Sequence, residues 1–151
     1  MKIKKRLLSI ITEIITISYF TLSVSAGAPS NMVTSTIHVN AGSSKFASVS
    51  IQKQTTSSTC YMRLRWFQFS GYNEKVMPSG NYIYSRLYKD TPSVPQASNP
   101  ASFSQVTSPG NYNYSFLAGC GGLGQIYVLK TNSSYYGAYD CKIDWSPDAY
   151  T

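Results

Sequence analysis

The hexapeptide Gly119-Cys-Gly-Gly-Leu-Gly124 sets Gly119, Gly121 and Gly124 at the spacing G-x-G-x-x-G. In a dinucleotide-binding protein that spacing turns a strand into a helix whose N-terminal N–H groups face a pyrophosphate. A β-prone segment, Asn111 to Phe116, does precede these glycines. The next segment is Gln125-Ile-Tyr-Val-Leu-Lys130, whose β-branched and aromatic residues read as another strand. No helix dipole is offered, so no nucleotide is expected. The glycines read as a flexible hairpin loop that uses positive φ.

Other catalytic chemistries are short of parts. His38 is the only imidazole, so a Ser–His–Asp or Cys–His mechanism would have to use it as base, and no G-x-S-x-G elbow is present. A glycosidase needs two carboxylates flanking one bond. Beyond Glu13 the acidic residues are Glu74, Asp90, Asp140, Asp144 and Asp148. Asp140 and Asp144 share the outward face of a strand about 13 Å apart, with Lys142 between them, at ~3.3 Å per residue. That is too far to act on one bond, and the pattern reads as a solvated face. No C-x-x-C accompanies His38 for zinc, and no EF-hand loop surrounds Asp144 and Asp148. No catalytic residue, cofactor or metal is expected. A hydrolase built on His38 or Asp144 is the residual enzymatic reading.

Cys60, Cys120 and Cys141 are the only cysteines. In an exported chain an odd count implies one disulfide and one spare thiol. Cys60 and Cys141 fall on inward strand faces, beside Leu64/Trp66 and Ile143/Trp145, whereas Cys120 sits in the glycine loop. The expected disulfide is Cys60–Cys141 with Cys120 free; the other pairings and three reduced thiols are the alternatives.

Recognition chemistry is better supplied. The chain has thirteen tyrosines, and only Tyr19 precedes residue 27. Tyrosine offers broad contact area at low entropic cost with one polar tip. Two patches stand out. Tyr61, Arg63, Arg65, Phe67 and Phe69 alternate onto one face of a strand, where guanidinium forks suit carboxylate or phosphate and rings suit sugars. Tyr135, Tyr136 and Tyr139 crowd a turn. The competing view is that Phe67 and Phe69 are covered by an opposing sheet and the tyrosines are ordinary strand formers.

These residues need a frame, and its signals are those of strands and turns. Residues 60–69 alternate, with Cys60, Met62, Leu64 and Trp66 on the inward face. Residues 82–88, 111–116, 125–130 and 139–145 are further strands, and 36–39 and 46–53 weaker ones. Pro78-Ser-Gly-Asn81 and Ser108-Pro-Gly-Asn111 are turn signals. The proline-rich stretch from Asp90 to Pro109 reads as a crossover loop between sheets. About seven short strands predict an all-β fold, an antiparallel β-sandwich of Ig-like or jelly-roll style, with a small barrel as the alternative.

The N-terminus has Lys2, Lys4, Lys5 and Arg6, then an apolar run, then Val24-Ser25-Ala26. This is the pattern of a secretory signal peptide spanning 1–26. A membrane anchor is disfavoured because Glu13 would cost roughly 2.5–3.5 kcal/mol near a bilayer centre. Asp/Glu depletion and the Lys-rich start suggest a bacterial exporter. Residues 27–151, about 125 in number, make one domain with its own core. Subtracting the four leader cations and Glu13 from the formal +7 leaves about +4. That is mild, and neither a dense basic patch nor a known nucleic-acid module is visible. The expected protein is thus secreted, extracellular and without a stable membrane span. It binds a cell-surface glycan, an anionic wall polymer or a protein partner and breaks no bonds. A bacteriocin-like or toxin effector is the alternative.

Overall fold

The computed structural model describes residues 27–71 and 77–151. Residues 1–26, expected to be a signal peptide, and Glu74 lie outside the described residues. Eight strands occur among the described residues: β1 (Val33–Val39), β2 (Ser44–Gln52), β3 (Thr59–Phe69), β4 (Ile83–Lys89), β5 (Ala101–Phe103), β6 (Asn113–Ser115), β7 (Ile126–Ser133) and β8 (Tyr139–Ser146). No helix occurs among them. The strands make two antiparallel sheets, β1-β8-β3-β6 and β2-β7-β4-β5, whose inner faces share one apolar core. This is the layering of a β-sandwich. β1 pairs with β8, β2 with β7, β3 with β6 and β4 with β5. The chain therefore doubles back at β4–β5, and the resulting long ladder is split between two sheets.

All seven expected strands form, with shifted ends. The eighth, β5, lies in the proline-rich stretch expected to be a loop. It pairs Ala101 with Ser85 and Phe103 with Ile83, and Ala97, Ala101 and Phe103 are buried. Three residues are too few to display a period, so proline dominates the signal. The glycine loop also differs from expectation: it carries the chain from β6 in one sheet to β7 in the other, so it is no hairpin. Gly121 has φ +85° there, and a Cβ would meet Phe116 at 2.8 Å.

The larger correction concerns β3. Cys60, Met62 and Leu64 point into the core as alternation requires. The register with β8 then slips between Leu64 and Trp66, leaving Arg65 as an extra residue. An inserted residue sends everything after it to the opposite face. Trp66 consequently leaves the core, while Phe67 and Phe69 enter it and pack edge to face at 5.8 Å.

The expected Cys60–Cys141 disulfide is absent, and all three thiols are free. Cys141 sits opposite Phe67, at the far end of β3 from Cys60. At ~3.3 Å per residue the separation is roughly 20 Å, whereas a disulfide needs Cα atoms within about 7 Å. The two thiols do share the inward face of their sheet; position along the ladder keeps them apart. Burial pushes both up to about 12.

One buried ion pair joins the two sheets. Asp148, just beyond β8, accepts hydrogen bonds from the Gln54 and Thr55 backbone N–H groups, from Thr55 Oγ1 at 2.6 Å and from Asn31 Nδ2 at 2.6 Å. Lys53 Nζ, with its side chain fully buried at the end of β2, lies 3.3 Å from the carboxylate and donates to the Pro147 carbonyl at 2.7 Å. Nearby, Gly27 and Thr151 exchange backbone hydrogen bonds.

Removing Asp148 strands the Lys53 ammonium in the interior. Asp148→Ala is expected to cost about 3–5 kcal/mol, read from urea unfolding. Burial alone would raise the Asp148 carboxyl, but the donors from Thr55, Gln54 and Asn31 outweigh it and hold the carboxyl below its usual range. A depressed folded value stabilises above the unfolded value of ~3.9 and is lost as pH falls through the lower folded one. The acid limb of the stability curve should therefore begin below about pH 4 and flatten in Asp148→Ala. The buried thiols give a second expected outcome: an aqueous disulfide reagent should label Cys120 in the folded protein, and Cys60 and Cys141 only after denaturation.

Candidate functional site

The eight residues expected to bind do not form one surface. Phe67, Phe69 and Tyr139 are core residues. Tyr61 does point to the outer face of its sheet, yet it is buried, because the C-terminal segment folds across it. Tyr150 packs on its ring at 5.5 Å, and Asn113 holds the Tyr150 backbone through two 2.8 Å hydrogen bonds. Tyr135 lies edge-on to Phe69 at 4.8 Å. Tyr136, 80% exposed, projects alone beside Gly42.

Arg63 and Arg65 remain on the outer face, but they have an internal partner. Asp144, expected on a solvated face, is 1% exposed. Arg63 closes on its Oδ2 through both Nε and a terminal nitrogen, Thr34 Oγ1 donates to its Oδ1 at 2.6 Å, and Arg65 lies 3.5 Å away. The Arg63 fork is thus consumed in holding β3 to β8, while Arg65 keeps half of its side chain in solvent. Asp140 pairs with His38 at 2.9 Å on the same sheet. Among the described residues no cluster of three or more metal-ligating side chains occurs.

The other sheet carries a different arrangement. Alternation in β4 buries Ile83, Ser85 and Leu87, which turns Tyr84, Arg86 and Tyr88 outward. Register places Arg86 directly opposite Lys130 of β7, and Lys130 opposite Phe46 of β2. Beside that row, Tyr84 faces Asn132 and Asn132 faces Ser44. Ser44, Tyr84, Arg86, Tyr88, Lys130 and Asn132 line a recess of about 250 Å³. The Lys130 ammonium lies 5.0 Å from the Phe46 ring centre and 5.4 Å from that of Tyr88, and the two rings meet edge to face at 5.5 Å. Each such cation–ring contact contributes about 0.5–1 kcal/mol at an exposed site.

Arg86 and Lys130 are like charges on directly opposed residues, which costs a sheet a few tenths to ~1 kcal/mol. The rings of Phe46 and Tyr88 offset part of this for Lys130, but no described carboxylate pairs with either cation. Among the described residues every ion pair uses Asp140, Asp144 or Asp148, and none includes Arg86 or Lys130. The arrangement is a two-cation cleft with aromatic walls and amide and hydroxyl groups at one end. It can hold an anion with an apolar or sugar-like flank.

Sequence reasoning identifies residues 82–88 as a strand but not as part of a site. The signal is present in part: Tyr84, Arg86 and Tyr88 alternate with Ile83, Ser85 and Leu87. Lys130 and Phe46 come from segments far apart in the chain, and only the pairing of β2, β7 and β4 assembles them.

The repulsion makes a separable test. Arg86→Glu turns a like pair into an opposite pair across the ladder. It is expected to raise stability by about 0.3–1 kcal/mol in low salt, with the gain shrinking at ~0.5 M salt, as read by urea melts.

No family model matches the chain, and no curated protein or solved structure matches it either.

Proposed function

We propose that this protein is an exported, non-catalytic binding module whose ligand is an anionic polysaccharide or wall polymer, held on the outer face of β2, β7 and β4. The observation that carries the reading is the Arg86–Lys130 pair, unpaired with any described carboxylate and lined by Tyr84 and Tyr88, with Phe46 packed against Lys130 and Tyr88. A sheet that retains opposed cations without a carboxylate gives up stability that a bound anion would return. Aromatic walls add stacking surface for sugar rings, and Ser44 and Asn132 add neutral hydrogen-bonding groups. Export rests on the leader-like residues 1–26.

Within the β-sandwich class, the strand order supports the jelly-roll style over the Ig-like one. Pairing first with last, second with seventh, third with sixth and fourth with fifth is what a doubled ladder rolled into two sheets produces. That style serves many unrelated functions, so the reading of function stands on the site alone.

The test is retention of the purified protein on immobilised polymers. A carboxylated polysaccharide and a polyol-phosphate polymer are the two anionic sources; neutral dextran and a single-stranded polynucleotide are the comparisons. Binding to one or both anionic polymers is expected, with log K falling against log salt at a slope of roughly 1–2, as two displaced counterions require. Arg86→Glu, which the urea melts check for folding, should remove binding at this face, read as a fall in polymer sites per protein. Equal retention on neutral dextran, or tighter retention on the polynucleotide, would overturn the reading.

A further inference from the structure

The bulge that removes Trp66 from the core has a second effect, because it builds a recess on the opposite side of the molecule. Trp66 of β3, Lys142 of β8 and Thr36 of β1 form one row across the outer face of their sheet. Thr34, Asp144 and Arg63 form the next row, with the extra residue Arg65 beside it. Thr34, Thr36, Arg65, Trp66 and Lys142 line a shallow recess of about 460 Å³. The Lys142 ammonium lies 5.8 Å from the Trp66 ring centre. Arg65 is 52% exposed, and its neighbour Asp144 also serves Arg63, so one carboxylate balances two guanidiniums. The recess thus has a net excess of cation, an indole wall and two threonine hydroxyls. Like the Arg86–Lys130 cleft it sets cations beside an aromatic ring and neutral hydroxyls, but here Asp144 offsets part of the charge.

We infer that the protein is bivalent: the Arg65–Trp66–Lys142 recess is a second site for the same anionic polysaccharide, and one molecule joins two polymer chains. The inference rests on the ligand class proposed above. The occupant is set by charge complementarity and by the match between the two faces. Geometry makes the sites independent. Each is the outer face of a different sheet, the sheets stack about 10 Å apart, and side chains project on both sides. A single stretch of polymer lying flat on one face does not reach the other. Two sites facing opposite ways on one rigid body favour bridging over tighter binding to one chain.

The experiment uses the whole protein and two probes. Titration calorimetry with a short uronate oligosaccharide counts sites, and light scattering with long alginate reports bridging. The expected wild-type result is two sites, with scattering that peaks at intermediate polymer and falls when polymer is in excess. Arg86→Glu and Lys142→Glu should each leave one site and reduce scattering at least fivefold; the double variant should leave none. Trp66→Thr, a strand-compatible change at the second recess, should reproduce the effect of Lys142→Glu. A wild-type count of one, lost in Arg86→Glu and kept in Lys142→Glu and Trp66→Thr, overturns bivalence and leaves the proposed function standing. A count of one that is lost only in Lys142→Glu moves the function to the other face and also overturns bivalence. A wild type that binds neither probe overturns bivalence for a carboxylated polysaccharide, and the polyol-phosphate retention test then decides the proposed function.

Discussion

The fold depends on the late arrival of β8. This last strand is not at an edge; it lies between β1 and β3 and pairs with both. Until it inserts, the sheet β1-β8-β3-β6 has no centre, so its formation waits on contacts that span most of the chain. Such non-local pairing makes folding slow relative to helical proteins of the same size. Asp148 is placed to lock that step. It lies directly after β8, and its partners Lys53, Gln54 and Thr55 come directly after β2 in the opposite sheet. One carboxylate therefore fastens the end of the chain, closes the gap between sheets and leaves Tyr150 lying over Tyr61. A buried ion pair contributes little net stability compared with a well-packed apolar replacement, but losing one member is costly. What it supplies here is placement of the C-terminal segment.

Much of the architecture is legible because alternation is local. Ile83, Ser85 and Leu87 against Tyr84, Arg86 and Tyr88, or Cys141, Ile143 and Trp145 against Lys142 and Asp144, announce their faces within a few residues. The failures share one cause: each needs knowledge of a partner strand. Residues 60–69 read as an unbroken alternation, and nothing in their types marks Arg65 as the inserted residue; the slip exists only relative to β8. Cys60 and Cys141 lie on the face that alternation assigns them, but their distance along the ladder is set by register. Asp144 is polar and outward-pointing, as expected, and buried only because Arg63, Arg65 and Thr34 converge on it from two other strands.

The candidate site is less legible than the fold. Of the residues anticipated as binding, Arg65 is the one that lies in a recess with exposed cationic character. Tyr136 is exposed but stands apart, and the rest are drawn into the core, packed against it, covered by the tail or paired. Lys130 and Arg86 look unremarkable in the sequence, far apart as they are. Their significance is that pairing sets them side by side with no described carboxylate paired to either. Charge count alone hides this: a mild net charge is compatible with local concentrations of cation when acidic residues are few and three of them, Asp140, Asp144 and Asp148, are engaged elsewhere.

The backbone hydrogen bonds between Gly27 and Thr151 bring the two ends of the described domain within bonding distance of each other. A short peptide joining them would close the domain into a ring without disturbing either sheet. New ends opened in the exposed turn at 91–94 would then place β8 and β1 consecutively in the chain. The pairing that now spans the greatest length would become a neighbouring one, and the order in which the sandwich assembles would be open to redesign with its final shape kept.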